Sequence, residues 1–279
     1  MKMISFYNGY QIPQLGLGTF LMSPEQAEAT VIEAIKVGYR HFDTAQMYQN
    51  EVAIGNELKK SGLKREEYYL TTKLGNHHSV EVTKKKIEQS LKDLKTNYVD
   101  LFLIHWPNHD LEINLRTWRV IEEYYKKGVF KAIGVSNFTR YQMDNLLEKA
   151  VIKPMANQIE THPALSQVPT KKYLDEREIR LISYAPLMRG HFNESPYFEV
   201  LAEIANNHKA TIAQIAIAWG LNREIIMIPK TVTKSRLIEN FAARKIVLTA
   251  NEMEQIFALN RGRRYYTDPA NTIHGDLLE

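Results

Sequence analysis

The stretch Val99-Asp100-Leu101-Phe102-Leu103-Ile104-His105 decides the fold. Its aliphatic and aromatic side chains do not alternate with polar ones. Both faces of the strand it predicts must therefore be covered, as in a parallel sheet flanked by helices. Upstream, Ile87, Leu91 and Leu94 recur at helical spacing. Downstream, a helical pattern near Leu115 leads to a second apolar run, Phe130 to Ser136, and then to Met143, Leu146 and Leu147. The local unit is strand, helix, strand, helix.

Working outward, the same unit recurs. Further apolar runs stand at Leu15 to Gly18, Tyr39 to Asp43, Tyr68 to Leu74, Met155 to Glu160, Arg180 to Ala185 and Ile225 to Lys230, giving eight strands in all. Ala27, Val31 and Ala34, and later Ile212, Ile215, Ala216 and Trp219, mark helices between them. Eight βα units with strands apolar on both faces predict a closed (β/α)8 TIM barrel. An open doubly wound sheet is the alternative, disfavoured because no G-x-G-x-x-G follows an early strand. Ser23-Pro24-Glu25-Gln26 reads as a capped helix start, and Asn50 before Glu51 as a second cap. Ile4 to Tyr7, Asn8-Gly9 and Tyr10 to Ile12 read as an N-terminal β-hairpin that caps the barrel bottom. With no linker-like composition break, residues 1–279 are expected to form a single domain.

Lys and Arg number 36 against 32 Asp and Glu, a net charge of +4, with no basic stripe suited to nucleic acid. Lys84-Lys85-Lys86 is read as a solvated helix face. The absence of cysteine rules out disulfides, thiol nucleophiles, iron–sulfur clusters and Cys-ligated zinc. Without a leader-like apolar segment or a membrane-length run, a cytoplasmic, non-membrane protein is expected. No metal is expected either, since His77 and His78 are adjacent on a loop and seldom converge on one ion. His162 is read as a structural loop residue.

In a (β/α)8 barrel, chemistry is built at the C-terminal strand ends. Those ends carry Asp43, Lys73, His105, Ser136, Asn137, Gln158, Tyr184 and Lys230, and Tyr48 follows Asp43 closely. Taken singly, Asp43 reads as a turn cap, Lys73 as a surface lysine, His105 as a core histidine and Tyr48 as packing. Together they form an acid/base set. A phenol is a weak acid that a neighbouring ammonium makes stronger, a carboxylate keeps the ammonium charged, and an imidazole can hold a carbonyl oxygen.

Longer motifs carry a resemblance. Gly16-Leu17-Gly18-Thr19, Gly38 to Ala45, Tyr48-Gln49-Asn50-Glu51, Asp100 to Pro107, Ile133 to Phe138 and Asn157-Gln158-Ile159-Glu160 occur in the order and spacing of the aldo-keto reductases. The chain resembles that family over essentially its whole length, and its shorter microbial members most. The resemblance implies an NADPH-dependent carbonyl reductase in which Tyr48 is the general acid, Lys73 and Asp43 tune it, and His105 orients the carbonyl. It implies a nicotinamide site made by Ser136, Asn137 and Gln158 with Tyr184 stacked on the ring, and with Thr19, Asp43 and Leu187 nearby. It also implies that Lys230, Thr231 and Arg236 hold a 2′-phosphate while Glu239 and Asn240 face adenine.

Three departures from the family pattern stand out: Gly75 where many members carry a pocket Trp, Thr231 for a commoner Ser, and Ala185 for a Ser after the stacking Tyr. Short connections after His105 and after Asn260 predict an open pocket for small aldehydes, dicarbonyls and keto-sugars, walled by Phe20, Met47, Trp106, Tyr265 and Tyr266. The resemblance implies a monomer, and a closed barrel has no exposed sheet edge that demands a partner. Two other readings stand beside this one. One is a slow NADPH-binding regulatory protein on the same barrel, and the other an unrelated lyase that uses Lys73 as a Schiff base.

Overall fold

The computed structural model describes residues 2–75 and 79–271; His77 and His78 lie outside the described residues. A hairpin of β1 (Met3–Ser5) and β2 (Gln11–Pro13) precedes eight strands. These are β3 (Leu17–Gly18), β4 (His41–Asp43), β5 (Tyr69–Leu74), β6 (Val99–Ile104), β7 (Phe130–Ser136), β8 (Ala156–Glu160), β9 (Arg180–Tyr184) and β10 (Ile226–Met227). All neighbours pair in parallel and in chain order. The ring closes where Gly16 N–H donates to Met227 C=O at 2.9 Å and Gly18 N–H to Pro229 C=O at 3.1 Å. The expected (β/α)8 barrel is what forms.

The helices are α1 (Pro24–Val37), α2 (Glu51–Lys60), α3 (Val80–Asp93), α4 (Leu111–Lys126), α5 (Arg140–Lys149), α6 (Val168–Asp175), α7 (Tyr197–Asn207), α8 (Ile212–Asn222), α9 (Lys234–Ala242) and α10 (Ala250–Phe257). Every residue of β5 and β6 is buried, which is why their sequences read as unbroken runs. Ser23 caps α1 in a capping box with Gln26, as the sequence indicates.

The hairpin closes the bottom of the barrel. Arg180, at the start of β9, donates to Ser5 C=O at 2.9 Å, and Tyr7 OH donates to Lys153 C=O at 2.6 Å. Its turn is wider than a two-residue Asn-Gly connection. Ser5 pairs with Gln11, and Phe6 N–H closes the loop on Tyr10 C=O at 2.9 Å. Asn8 sits in the β-turn that Gly9 N–H closes on Phe6 C=O at 3.0 Å, and its amide donates to Lys131 C=O and Tyr125 OH, both at 3.1 Å. No helix of the described residues is long and apolar enough to cross a membrane.

Candidate active site

Register explains how distant residues meet. Asp43 on β4 pairs with Thr71 on β5, so Lys73 projects from the same side of β5 one side-chain repeat higher. Lys73 pairs with Leu103 on β6, so His105 stands another repeat higher. Tyr48 ends a 3-10 turn, Gln46–Tyr48, that follows β4. Lys73 is wholly buried; its ammonium donates to the Asp43 carboxylate and, at 2.8 Å, to Thr44 C=O. It lies 3.4 Å from the Tyr48 hydroxyl, which is also 3.4 Å from His105 Nε2. Gln158 Nε2 donates to the other Asp43 oxygen at 2.8 Å.

Electrostatics differ in one respect from the sequence expectation. The Tyr48 phenol is pushed well above its ordinary pKa, first by burial and then by the Asp43 carboxylate. Lys73 does not reverse this, because its ammonium is engaged by Asp43 and Thr44 and is itself pushed down by burial. The phenol is held protonated, as a proton donor must be before it acts.

Above this cluster opens a cavity of about 650 Å³. Its lining includes Thr19, Phe20, Asp43, Met47, Tyr48, His105, Trp106, Ser136, Asn137, Gln158, Tyr184, Leu187, Lys230 and Tyr266. The polar floor is braced from below. Tyr184 OH donates to Asn137 Oδ1 at 2.8 Å, Asn137 Nδ2 to His105 C=O at 3.0 Å, and Ser136 Oγ to Gln158 C=O at 2.8 Å. Thr19 Oγ1 donates to Asp43 C=O at 3.0 Å. Phe20 packs 5.1 Å from the Tyr48 ring and 6.2 Å from Tyr266.

Sequence reasoning misread two nearby residues. Tyr265, expected in the pocket wall with Tyr266, does not line the cavity: its ring stacks on His191 at 4.5 Å and packs against His162 at 5.3 Å. Adjacent tail residues face opposite ways. Asn50 does not cap α2; it accepts from Thr44 Oγ1 at 2.7 Å and donates to Thr19 and Met22 C=O at 3.0 and 3.2 Å. Its amide offers donor and acceptor together, which suits a brace between two loops better than a cap. His162 does hold a structural position, fully buried and bonded to Glu160. Arg189, which no motif marks, also lines the cavity with its guanidinium 5.0 Å over the Tyr266 ring. Its backbone is left-handed at φ 51°, a conformation that sequence periodicity does not reveal.

Residues 14–261 match the aldo/keto reductase family. The chain belongs to that family. It is 40% identical over 268 residues to the glyoxal reductase of Bacillus subtilis (strain 168), covering 95% of each chain. It is 37% identical over 267 residues to the methylglyoxal reductase DkgA of Salmonella typhimurium, covering 95% of this chain and 96% of the relative. Among solved structures, that of a Gox0644 variant in complex with NADPH superposes with a TM-score of 0.91 at 35% identity, covering 97% of this chain and 98% of that one. This aldo/keto reductase is accordingly an oxidoreductase.

In this aldo/keto reductase the space beside Gly75 is taken by Met47, whose Cγ would lie 3.2 Å from a Cβ at residue 75. Gly75 N–H also donates to Gln46 Oε1 at 2.8 Å, tying β5 to the turn that carries Tyr48. A larger residue here would push Met47 into the cavity. At the other end, Lys230 lines the cavity, while Thr231, Arg236, Glu239 and Asn240 stand outside its lining. Lys230 and Arg236 are exposed and form no ion pair among the described residues. Thr231 Oγ1 accepts from Thr233 N–H at 3.1 Å, which leaves its O–H free to donate. Glu239 accepts from Thr211 Oγ1 at 2.6 Å, and Asn240 is buried.

Proposed function

We propose that the chain is an NADPH-dependent reductase of small aldehydes, dicarbonyls and keto-sugars, with Tyr48 as general acid. The observation that carries this reading is the Tyr48 hydroxyl, 3.4 Å from both Lys73 Nζ and His105 Nε2 at the floor of the cavity. The names of the glyoxal and methylglyoxal reductases, and the NADPH bound to the structural relative, support it.

The residues present fit a dinucleotide. Ser136, Asn137 and Gln158 bring donors and acceptors suited to a carboxamide against the Tyr184 ring. Lys230 precedes α9 and Arg236 lies in its first turn, where the Thr233 N-cap makes no side-chain cap bond and the helix dipole favours an anion. This set would hold the 2′-phosphate that distinguishes NADPH from NADH.

NADPH held by these residues would supply the hydride for the carbonyl carbon. Tyr48 gives its proton to the carbonyl oxygen, and the Lys73 ammonium then faces the resulting phenolate at short range. Asp43 and Thr44 C=O hold that ammonium in place. His105 Nε2, 3.4 Å from the Tyr48 hydroxyl, would hold the same oxygen and fix its approach to Tyr48. Alcohol oxidation uses the same groups in reverse.

The test is NADPH consumption, followed by absorbance, with glyoxal, methylglyoxal, other small aldehydes and keto-sugars, on the wild type and on Tyr48→Phe. Many turnovers in the wild type, lost in the variant, are expected. Tight NADPH binding with no turnover on any member of the panel would count against the reading.

A further inference from the structure

Glu160, at the C-terminal end of β8, is a carboxylate with 0% exposure that the proposed chemistry does not use. A charge so placed is costly unless it is held by specific partners. Its partners share one destination. Oε1 accepts the Tyr265 backbone N–H at 2.6 Å and meets His162 Nε2 at 3.1 Å, while Oε2 faces the Arg264 guanidinium at 3.8 Å. Arg264 and Tyr265 lead directly into Tyr266, whose ring lines the cavity and packs edge-on to Tyr184 at 5.5 Å. Thr267 lines the cavity as well. Earlier tail residues are tied farther away, through the N–H groups of Arg261 and Arg263 on Ala164 C=O.

We propose that Glu160 is a positioning residue for substrate selection: through Tyr265 and Arg264 it fixes the Tyr266 wall, and so sets how the pocket discriminates among carbonyls of different bulk. The proposal rests on the reductase reading above. The tail is a surface segment whose rings pack on Phe20, Tyr184, Arg189, His191 and His162, and such face and edge contacts by themselves leave its backbone free to shift along the cavity rim. A charge-assisted hydrogen bond in a dry site, adjacent to the wall residue, removes that freedom. A compact dicarbonyl is held at its reacting oxygen by Tyr48 and His105. A carbonyl with an aromatic substituent also needs the wall.

Methylglyoxal and phenylglyoxal present the same α-oxoaldehyde with different bulk, and so isolate the wall. In Glu160→Ala, KM for phenylglyoxal should rise about tenfold or more, KM for methylglyoxal less than about threefold, and kcat for both should hold. Glu160→Gln keeps an acceptor for Tyr265 N–H and should recover most of the phenylglyoxal KM. Tyr266→Ala should raise the phenylglyoxal KM by itself, and adding Glu160→Ala should raise it no further. Equal losses on both substrates, or additive effects of the two substitutions, would overturn the proposal. If Glu160→Ala does not fold, Glu160→Met, which keeps the bulk and removes the acceptor for Tyr265 N–H, carries the same expectation.

Hydrogen–deuterium exchange reads the tie without activity. Peptides covering 261–267 should exchange faster in Glu160→Ala than in the wild type while strands β5 and β6 stay unchanged. Equal exchange of that segment in both would overturn the tie, even if the protein reduced no carbonyl at all. Failure of the reductase reading would instead appear as a wild type inactive on both oxoaldehydes with the exchange difference intact.

Discussion

Lys73 Nζ lies 3.4 Å from the Tyr48 hydroxyl while its bonds go to Asp43 and Thr44, so the ammonium is aimed at the phenol without being bound tightly by it. Burial holds the phenol protonated, and on the proposed mechanism the positive charge is already in place for the phenolate that proton transfer would leave. Removing the hydroxyl separates these roles. Tyr48→Phe should lower kcat by about three orders of magnitude or more, the upper part of the range for general acid–base groups, with NADPH affinity within about twofold. Fluorescence titration beside steady-state rates makes the measurement; substantial remaining turnover would remove Tyr48 as the acid.

Arg236 is exposed on α9 with no ion-pair partner among the described residues. A charged hydrogen bond to a 2′-phosphate is worth about 1.5–3 kcal/mol, or roughly 10- to 150-fold in affinity. Arg236→Ala should weaken NADPH by that factor and NADH by less than about twofold. Equal weakening of both cofactors, read by titration, would refute the phosphate assignment.

Glu51 is buried behind Lys73, accepting from Thr72 Oγ1 at 2.6 Å and Ser90 Oγ at 3.0 Å, and burial raises its pKa from 4.5 to about 7. Between those values the folded chain retains a proton that the unfolded chain has released, so stability falls as pH rises from about 4.5 to about 7 and is level above. The full change is on the order of 3 kcal/mol at 1.36 kcal/mol per pKa unit. Glu51→Gln should remove this component. Urea denaturation of both proteins from pH 5 to pH 8 should show their difference changing with pH; parallel curves would contradict it.

Asn50 joins the loop after β3 to the loop after β4. Asn50→Ala takes the side-chain donor from the buried Met22 C=O, while Thr19 C=O keeps the Met22 N–H at 3.2 Å, and should cost about 1–3 kcal/mol. Asn50→Asp discriminates between brace and cap. A helix cap accepts Asp as readily as Asn, whereas a brace that must donate to two carbonyls does not. Asn50→Asp should therefore destabilise about as much as Asn50→Ala in thermal unfolding, and near wild-type stability would restore the cap reading.

Much of the site was legible in the sequence because barrel strands carry their chemistry at one end. Asp43, Lys73 and His105 each terminate or follow an apolar run, and such a position marks a residue as facing the mouth. Asn50, Tyr265 and Arg189 were misread or missed for a common reason. Their partners are Thr19, His191 and Tyr266, which are distant in the chain, and local capping or hydrophobic rules cannot see them.

The sequence by itself determined the eight strands and the order of the candidate site's side chains, because double-sided burial forces unbroken apolar runs and a closed parallel ring then leaves little choice of neighbour. It also carried the family motifs. Only the tertiary structure decided which hydrogen-bonding group serves which loop: that Tyr266 faces the cavity while Tyr265 faces away, that Met47 fills the space beside Gly75, and that Glu160 reaches the tail. Those outcomes depend on the direction of individual side chains across elements far apart in sequence. That information arises when the ring closes and each buried polar group must find its partner.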